Sequence, residues 1–351
     1  MNDKDRDRCS DGAGPSDLDD GPSCCSSPLV RYILIVFILL LSSQGWSKTD
    51  PDVSFCLNSN DRQWSMSQLN DSYSRRVPTS THYQYGLSLS LDAGILLASD
   101  CHANFYQGIE SNVNSIYRIM HSEAFGMQMW NDLTTLNLIG SDITNYQQLS
   151  IDEYGEMSYR MALQVGMGFR YDYGNGWGWI IRMDYAKLTA VGVFMLNATN
   201  GTGILTNQDR WVRCGIVGQE KRINIDLGIS RKFKMQNGLD WGLELGGQVN
   251  NTEVLANDIE VAGRTYSILD IWNGQFPSAS SYAYDYINQG GIGYGAFATL
   301  NWGYTLPSYS TLTLAYTLYY NRINLEGYEM FAPQHVITLR FDFDGFKLFD
   351  S

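Results

Sequence analysis

Ser158-Tyr-Arg-Met-Ala-Leu-Gln-Val-Gly-Met-Gly-Phe-Arg-Tyr171, then Asp172-Tyr-Gly-Asn-Gly176, then Trp177-Gly-Trp-Ile-Ile-Arg-Met-Asp-Tyr185, is the stretch whose reading decides the fold. In its first part Tyr159, Met161, Leu163, Val165, Met167, Phe169 and Tyr171 alternate with Ser158, Arg160, Ala162, Gln164, Gly166, Gly168 and Arg170. A period of two is the periodicity of a strand. Gly174-Asn175-Gly176 supplies residues that tolerate positive φ and so marks a tight turn. After it Trp177, Trp179, Ile181, Met183 and Tyr185 alternate with Gly178, Arg182 and Asp184. The apolar face is long and carries aromatics at its ends, while the other face mixes small and charged residues. A lipid-facing strand of a transmembrane barrel has this pattern, with about ten residues per crossing.

The same alternation recurs along the chain. It predicts strands over about 82–97, 158–171, 177–195, 212–233, 239–250, 290–305, 310–324 and 334–343. Gln236-Asn237-Gly238 and Pro307-Ser308-Tyr309 read as further tight turns. The links at 98–156, 196–210, 251–288 and 325–333 are longer. In the first of these, Val113, Ile116, Tyr117, Met120, Ala124 and Met127 recur at spacings of three and four, which predicts a helix. In 251–288, strand extensions are expected near 258–271. The expectation is an all-β fold: an eight-stranded antiparallel up-and-down transmembrane barrel with long extracellular loops, the first containing a helix. A soluble lipocalin also has eight up-and-down strands, but it would bury its apolar parity and expose its charged one.

The chain of 351 residues accommodates such a barrel with additions. Its aromatic content of 13% and its 34 glycines suit aromatic belts and a close-packed lumen. A net charge of −13 with no basic stripe argues against a nucleic-acid partner. Residues 1–28 are polar and acidic, and the run Tyr32 to Leu41 with Arg31 before it and small residues after it reads as a secretory signal. The expected division is a leader and signal peptide at 1–47, cleaved after Gly45 or Ser47. A periplasmic lead-in at 48–81, the barrel at 82–343 and a short tail at 344–351 follow. The acidic leader implies either an extended start or an unusually long n-region, and a signal anchor is the competing reading.

Export would leave Cys56, Cys101 and Cys214 in an oxidising compartment. Cys101 and Cys214 both fall at outer strand ends, so a disulfide between them is expected, with Cys56 as the rival partner. No Cys or His spacing suggests a metal, and no cofactor is expected. His82, His102, His121 and His335 are scattered, and His121-Ser122-Glu123 invites a lipid-hydrolase reading. Adjacent helical residues point apart and cannot form a triad, so no enzymatic role is expected.

Segments 218–222 (Gly-Gln-Glu-Lys-Arg), 289–295 (Gln-Gly-Gly-Ile-Gly-Tyr-Gly), 323–328 (Ile-Asn-Leu-Glu-Gly-Tyr) and 331–334 (Phe-Ala-Pro-Gln) carry a resemblance. In strand count and topology the chain resembles small OmpA- and OmpX-type outer-membrane barrels. More closely, it is similar to outer-membrane barrel proteins of Bacteroidota over roughly 82–343. The resemblance implies a fold and an outer-membrane location but no activity. The sequence ends Phe349-Asp350-Ser351 rather than on an aromatic, so Phe341 and Phe343 are the expected assembly signal.

The polar parity carries Arg160, Arg170, Arg182, Arg222, Lys232 and Arg340 against Asp92, Asp184, Asp226, Glu244 and Asp342. An eight-stranded barrel is narrow enough for side chains to fill. These charges are expected to pair across the lumen, with Gly166, Gly168, Gly228, Gly246, Gly293 and Gly295 making room for the arginines, and two or three of them to lie solvated above the membrane. The functional expectation is a closed barrel acting through its external loops on outer-membrane lipid or another envelope protein. The alternatives are a small porin or transport accessory channel, and a barrel lipid hydrolase.

Overall fold

The computed structural model describes residues 85–140, 143–197, 211–235, 238–272, 287–306 and 310–344. The leader, the lead-in, the tail beyond Asp344, loop 198–210 and the expected turns at 236–237 and 307–309 lie outside the described residues.

Eight long strands form the barrel: β1 (Tyr85–Leu97), β2 (Ala162–Tyr173), β3 (Trp177–Asn197), β4 (Trp211–Lys234), β5 (Leu239–Val261), β6 (Gly290–Thr305), β7 (Thr311–Arg322) and β8 (Phe331–Asp344). Each pairs antiparallel with its sequence neighbours, and β1 closes the ring on β8 from Ser88↔Asp344 to Leu97↔His335. Closure leaves no unpaired edge in the ring. The outward parity is apolar, as Leu91, Val165, Ile181, Ile225, Leu245, Leu314 and Leu339 are all exposed. The inward parity is polar, with Asp92, Arg182, Asp226, Glu244, Thr299, Thr317 and Arg340 buried. A water-soluble barrel inverts this order, so the fold is the transmembrane type. Exposed Tyr85, Tyr173, Trp177, Trp179, Trp302 and Tyr304 lie toward the tight-turn end, and Tyr294, Tyr320 and Phe331 toward the other. Among the described residues no helix is long and apolar enough to cross a membrane.

Three strands are long, two of them within about two residues of their expected bounds and the third, β5, well beyond them. β3, β4 and β5 have 21, 24 and 23 residues, against 12 to 16 for the rest. They rise past the apolar band as a wall on one side. β5 thus runs eleven residues beyond the expected Asn250, and a short strand Arg264–Ser267 folds back on it. The pairing of β4 with β5 slips by one residue at Gln219/Glu220, where Leu255 is extra. Such a bulge exchanges the two faces. Even positions from Gly242 to Val254 face inward, and above it Asn257, Ile259 and Val261 do.

The opening stretch is corrected in the same way. Its alternation does not belong to one strand. Ser158–Tyr159 is a separate two-residue strand, paired Tyr159↔Ala190, and β2 resumes with Gln164↔Ala186. Five residues on this side span four on β3, so the inward parity switches from Met157 and Tyr159 to Ala162 and Gln164.

The first loop carries α1 (Asp100–Ala103), α2 (Ile116–Met120) and α3 (Glu123–Thr135). The expected stripe is interrupted because Ser122 caps a new helix, its Oγ accepting from the Phe125 N–H at 3.3 Å. Ile116, Ile119, Met120, Met129 and Leu133 are buried, whereas Tyr117 and Met127 of the stripe are exposed. The buried set packs with Phe105, Tyr106, Ile139, Ile143 and Leu149 onto Phe194, Leu196, Cys214, Ile216, Ile259 and Val261 of the wall, forming an apolar cap.

Candidate functional site

The site is the barrel interior and the cap that closes one end of it. In the central layer, Arg340 Nε donates to Asp92 Oδ1 at 3.0 Å and its Nη1 to Glu244 Oε1 at 3.0 Å. Arg182 Nη1 donates to Glu244 Oε2 at 2.8 Å and its Nη2 to Asp226 Oδ2 at 3.0 Å. Glu244 therefore holds one arginine on each oxygen. Tyr319 donates to Asp226 at 2.8 Å, Thr299 meets Thr317 at 2.9 Å, and the Arg182 guanidinium lies 5.1 Å from the Phe297 ring centre. Asp184 is buried opposite Gly166. β1 and β3 to β8 each contribute a side chain to this layer; β2 contributes space. A Cβ on Gly168 would stand 2.8 Å from Arg182 Cγ and 2.6 Å from Ser90 Oγ, closer than packing allows.

Toward the tight turns, Arg170 Nε donates to Asp172 at 2.8 Å, with Lys232 Nζ 3.9 Å from the same carboxylate. Thr313 donates to Asp342 at 2.9 Å. A cavity of about 30 Å³ among Arg170, Lys232, Asp240, Asn301 and Asp342 has room for only one or two waters. Toward the cap, amides bridge the bore: Asn321 donates to Gln248 at 2.8 Å and Gln334 to Asn321 at 2.7 Å.

Above them sits a second charged layer. Arg222, 1% exposed, pairs with Glu220 and donates to Gln334 at 3.0 Å and to the Tyr159 hydroxyl at 3.1 Å. Tyr106, from the cap, donates to Glu220 Oε2 at 2.6 Å. Its side chain packs against Gly218, where any Cβ would collide with it. His102 Nε2 meets the Met330 carbonyl at 3.0 Å, and burial with the Arg222 charge holds its pKa down at about 4. It is therefore a neutral group in ordinary buffers. The loops are sewn together higher up. Asn114 and Gln289 exchange two amide hydrogen bonds of 2.9 Å, Tyr266 donates to Asp132 at 3.0 Å, and Tyr328 donates to Asn112 at 3.1 Å.

Of the expected lumen charges, Asp92, Arg182, Asp226, Glu244 and Arg340 form one network, Asp184 lies buried within the same layer, and Arg170 and Arg222 head the layers on either side. Arg160 is not a member. The bulge below Tyr159 turns it outward, and it is exposed. Gly228 and Gly246, opposite each other, make room for the Phe297 ring rather than for an arginine. Gly293 and Gly295 face Asn250 and Asn321. The expected Cys101–Cys214 disulfide does not form: Cys214 is a buried free thiol beneath the cap core, and Cys101 is disulfide-bonded elsewhere. Ser122 Oγ donates to the Ile119 carbonyl at 2.7 Å as well as capping α3, and His121 stacks on Tyr117 at 3.9 Å, so both serve the loop's own geometry. Tyr106, Tyr159, Glu220, Phe297 and Tyr319 were not foreseen. Glu220 and Arg222 share a parity two residues apart on β4, which was a usable signal.

No protein-family model matches the chain, and no curated protein does. Among solved structures, Neisserial surface protein A is similar at 8% identity and TM-score 0.32, covering 73% of this chain and 96% of that one. The outer membrane protein OprG from Pseudomonas aeruginosa is similar at 11% identity and TM-score 0.31, covering 74% and 97%. Ail, the attachment invasion locus protein of Yersinia pestis, crystallised with the heparin analogue sucrose octasulfate, is similar at 10% identity and TM-score 0.29, covering 74% and 100%. Scores this low carry no argument, and the fold stands on the strand ring itself.

Proposed function

We propose that the chain is an outer-membrane β-barrel of the Bacteroidota type, exported by its N-terminal signal. In this reading the barrel is a closed stem that displays a rigid cap to the outside, where the cap engages lipid or another envelope protein. The observation that carries the reading is the double closure of the bore. Paired arginines and carboxylates fill it at mid-height, and an apolar core seals the loop end. A diffusion channel needs a hydrated path, which neither layer leaves. The same packing favours a binding or structural role over a porin or transport channel, and Ser122 and His121 are engaged in helix capping and ring stacking rather than with each other.

Cysteine labelling on intact cells tests the arrangement. Gln128→Cys on the exposed side of α3 should react with a membrane-impermeant maleimide, and Asn175→Cys in the tight turn should react only after lysis. Equal labelling of both before lysis, or of neither, refutes the proposed topology.

A further inference from the structure

The outward face of β3 runs Trp177, Trp179, Ile181, Met183 and Tyr185, all exposed, and then changes abruptly to Lys187. On β4 the exposed Ile229, Leu227 and Ile225 are followed by Ile223 and then Lys221 on the same face. Lys187 and Lys221 stand directly opposite each other across the ladder. Like charges in that position destabilise a sheet, and Glu253, opposite Lys221 on β5, offsets the repulsion in part. Lys221 Nζ is held by Glu253 at 2.6 Å, but among the described residues Lys187 forms no ion pair.

Arg160 joins them. The bulge that removes it from the lumen leaves it exposed, with its backbone N–H bonded to the Thr189 carbonyl at 2.9 Å, two residues from Lys187. It too forms no ion pair among the described residues. Three cations thus lie on this outer face with Glu253, and the Asp100 carboxylate accepts from the Tyr159 N–H at 2.9 Å beside Arg160. Just below them Met161 and Leu163 are 75% and 70% exposed, which is the level of acyl chains. The acidic Asp258 and Glu260 stand farther up the wall, past the β5 bulge. The cations therefore interrupt the outward apolar stripes of β3 and β4 at their cap-side end, the depth of lipid headgroups in the membrane reading.

We propose that Arg160, Lys187 and Lys221 form a docking site for phosphate groups of lipids in the leaflet around the cap end of the barrel. The inference rests on the membrane reading above. A polyanionic headgroup offsets the repulsion between the opposed lysines, and snorkelling side chains reach it without leaving the apolar band. A multiply phosphorylated glycolipid meets all three cations at once.

The test reconstitutes the protein in phosphatidylcholine bilayers containing either a bisphosphorylated glycolipid or the same glycolipid without phosphates. The lipid retained on extraction is then read by native mass spectrometry. Wild type should keep the phosphorylated form in preference. K187S/K221S should lose that preference by about fivefold per lysine removed, R160S should weaken it further, and K187R/K221R should keep it. Equal retention of phosphorylated lipid by wild type and K187S/K221S overturns the proposal, as does binding soluble polyphosphate as tightly as the glycolipid. Insertion is measured first by heat-modifiable gel mobility. A chain that does not insert refutes the barrel reading itself, whereas one that inserts without phosphate preference refutes the patch alone.

Discussion

Replacing Glu244 by Gln probes whether the lumen charges hold the barrel together. Glu244 is 1% exposed and receives Arg182 at 2.8 Å and Arg340 at 3.0 Å, one on each oxygen. The amide keeps the shape and one acceptor, but turns an NH2 group toward the other guanidinium. One charge-assisted hydrogen bond, worth about 1.5–3 kcal/mol, is lost and the second is weakened to a neutral acceptor. Removing one partner of a buried ion pair typically costs about 3–5 kcal/mol. Here Arg182 keeps Asp226 and Arg340 keeps Asp92, which limits the exposed deficit. The expected loss is therefore about 3 kcal/mol, read from urea unfolding of the barrel in lipid vesicles. Arg160→Ala, on an exposed side chain outside the lumen network, should change stability by less than about 0.5 kcal/mol in vesicles without phosphorylated glycolipid. A cycle with Arg340→Gln should show coupling, because the two groups touch. An E244Q barrel as stable as wild type, or one that loses no more than R160A, would refute the claim that this network is structural.

Acidification should loosen the cap. His102 titrates near 4 in the folded state against 6.5 unfolded, so its stabilisation is complete above pH 6.5 and is lost as the pH falls toward 4. The total is roughly 3 kcal/mol; hydrogen exchange in 100–120 should rise over that window in wild type, and His102→Asn should flatten the dependence. Gly218→Val should push Tyr106 off β4 and raise exchange across the cap while barrel unfolding in urea moves little; a cap unchanged in exchange would show that Tyr106 does not hold it. Thiol reagents should reach Cys214 only after denaturation, and non-reducing peptide mapping should join the Cys101 peptide to a peptide other than that of Cys214.

Strand number, ring order and the polar inward parity were legible because each crossing repeats one rule, and a period of two survives without knowledge of the partner strand. The bulges were not. At Tyr159–Ala162 the apolar and polar residues keep alternating while the backbone gains a residue, so sequence parity and spatial parity part company and Arg160 lands outside. Leu255 does the same on β5, and hides the upper wall within what reads as a loop. The cap was half visible: helical spacing was present, but the face it implied was wrong because Ser122 restarts the helix. In the lumen, charge type and parity identified the central network, whereas Phe297 and Tyr319 read as ordinary aromatics of a barrel. Their inward position follows from parity, but the space for Phe297 comes from Gly228 and Gly246 on two other strands, a relation that only the register supplies. The disulfide failed for a similar reason: two cysteines near strand ends say nothing of distance, and Cys214 is consumed by the apolar core.

Single-channel recording tests the closed stem most directly. Purified protein, shown by heat-modifiable mobility to be folded, is added to planar lipid bilayers at neutral pH. The account predicts no stable conductance steps from the wild type, and none from E244Q under conditions in which it remains folded, because the amides of Gln248, Asn321 and Gln334 and the Arg222–Glu220 layer still cross the bore. Steady, porin-like steps from the monomeric wild-type protein would contradict it.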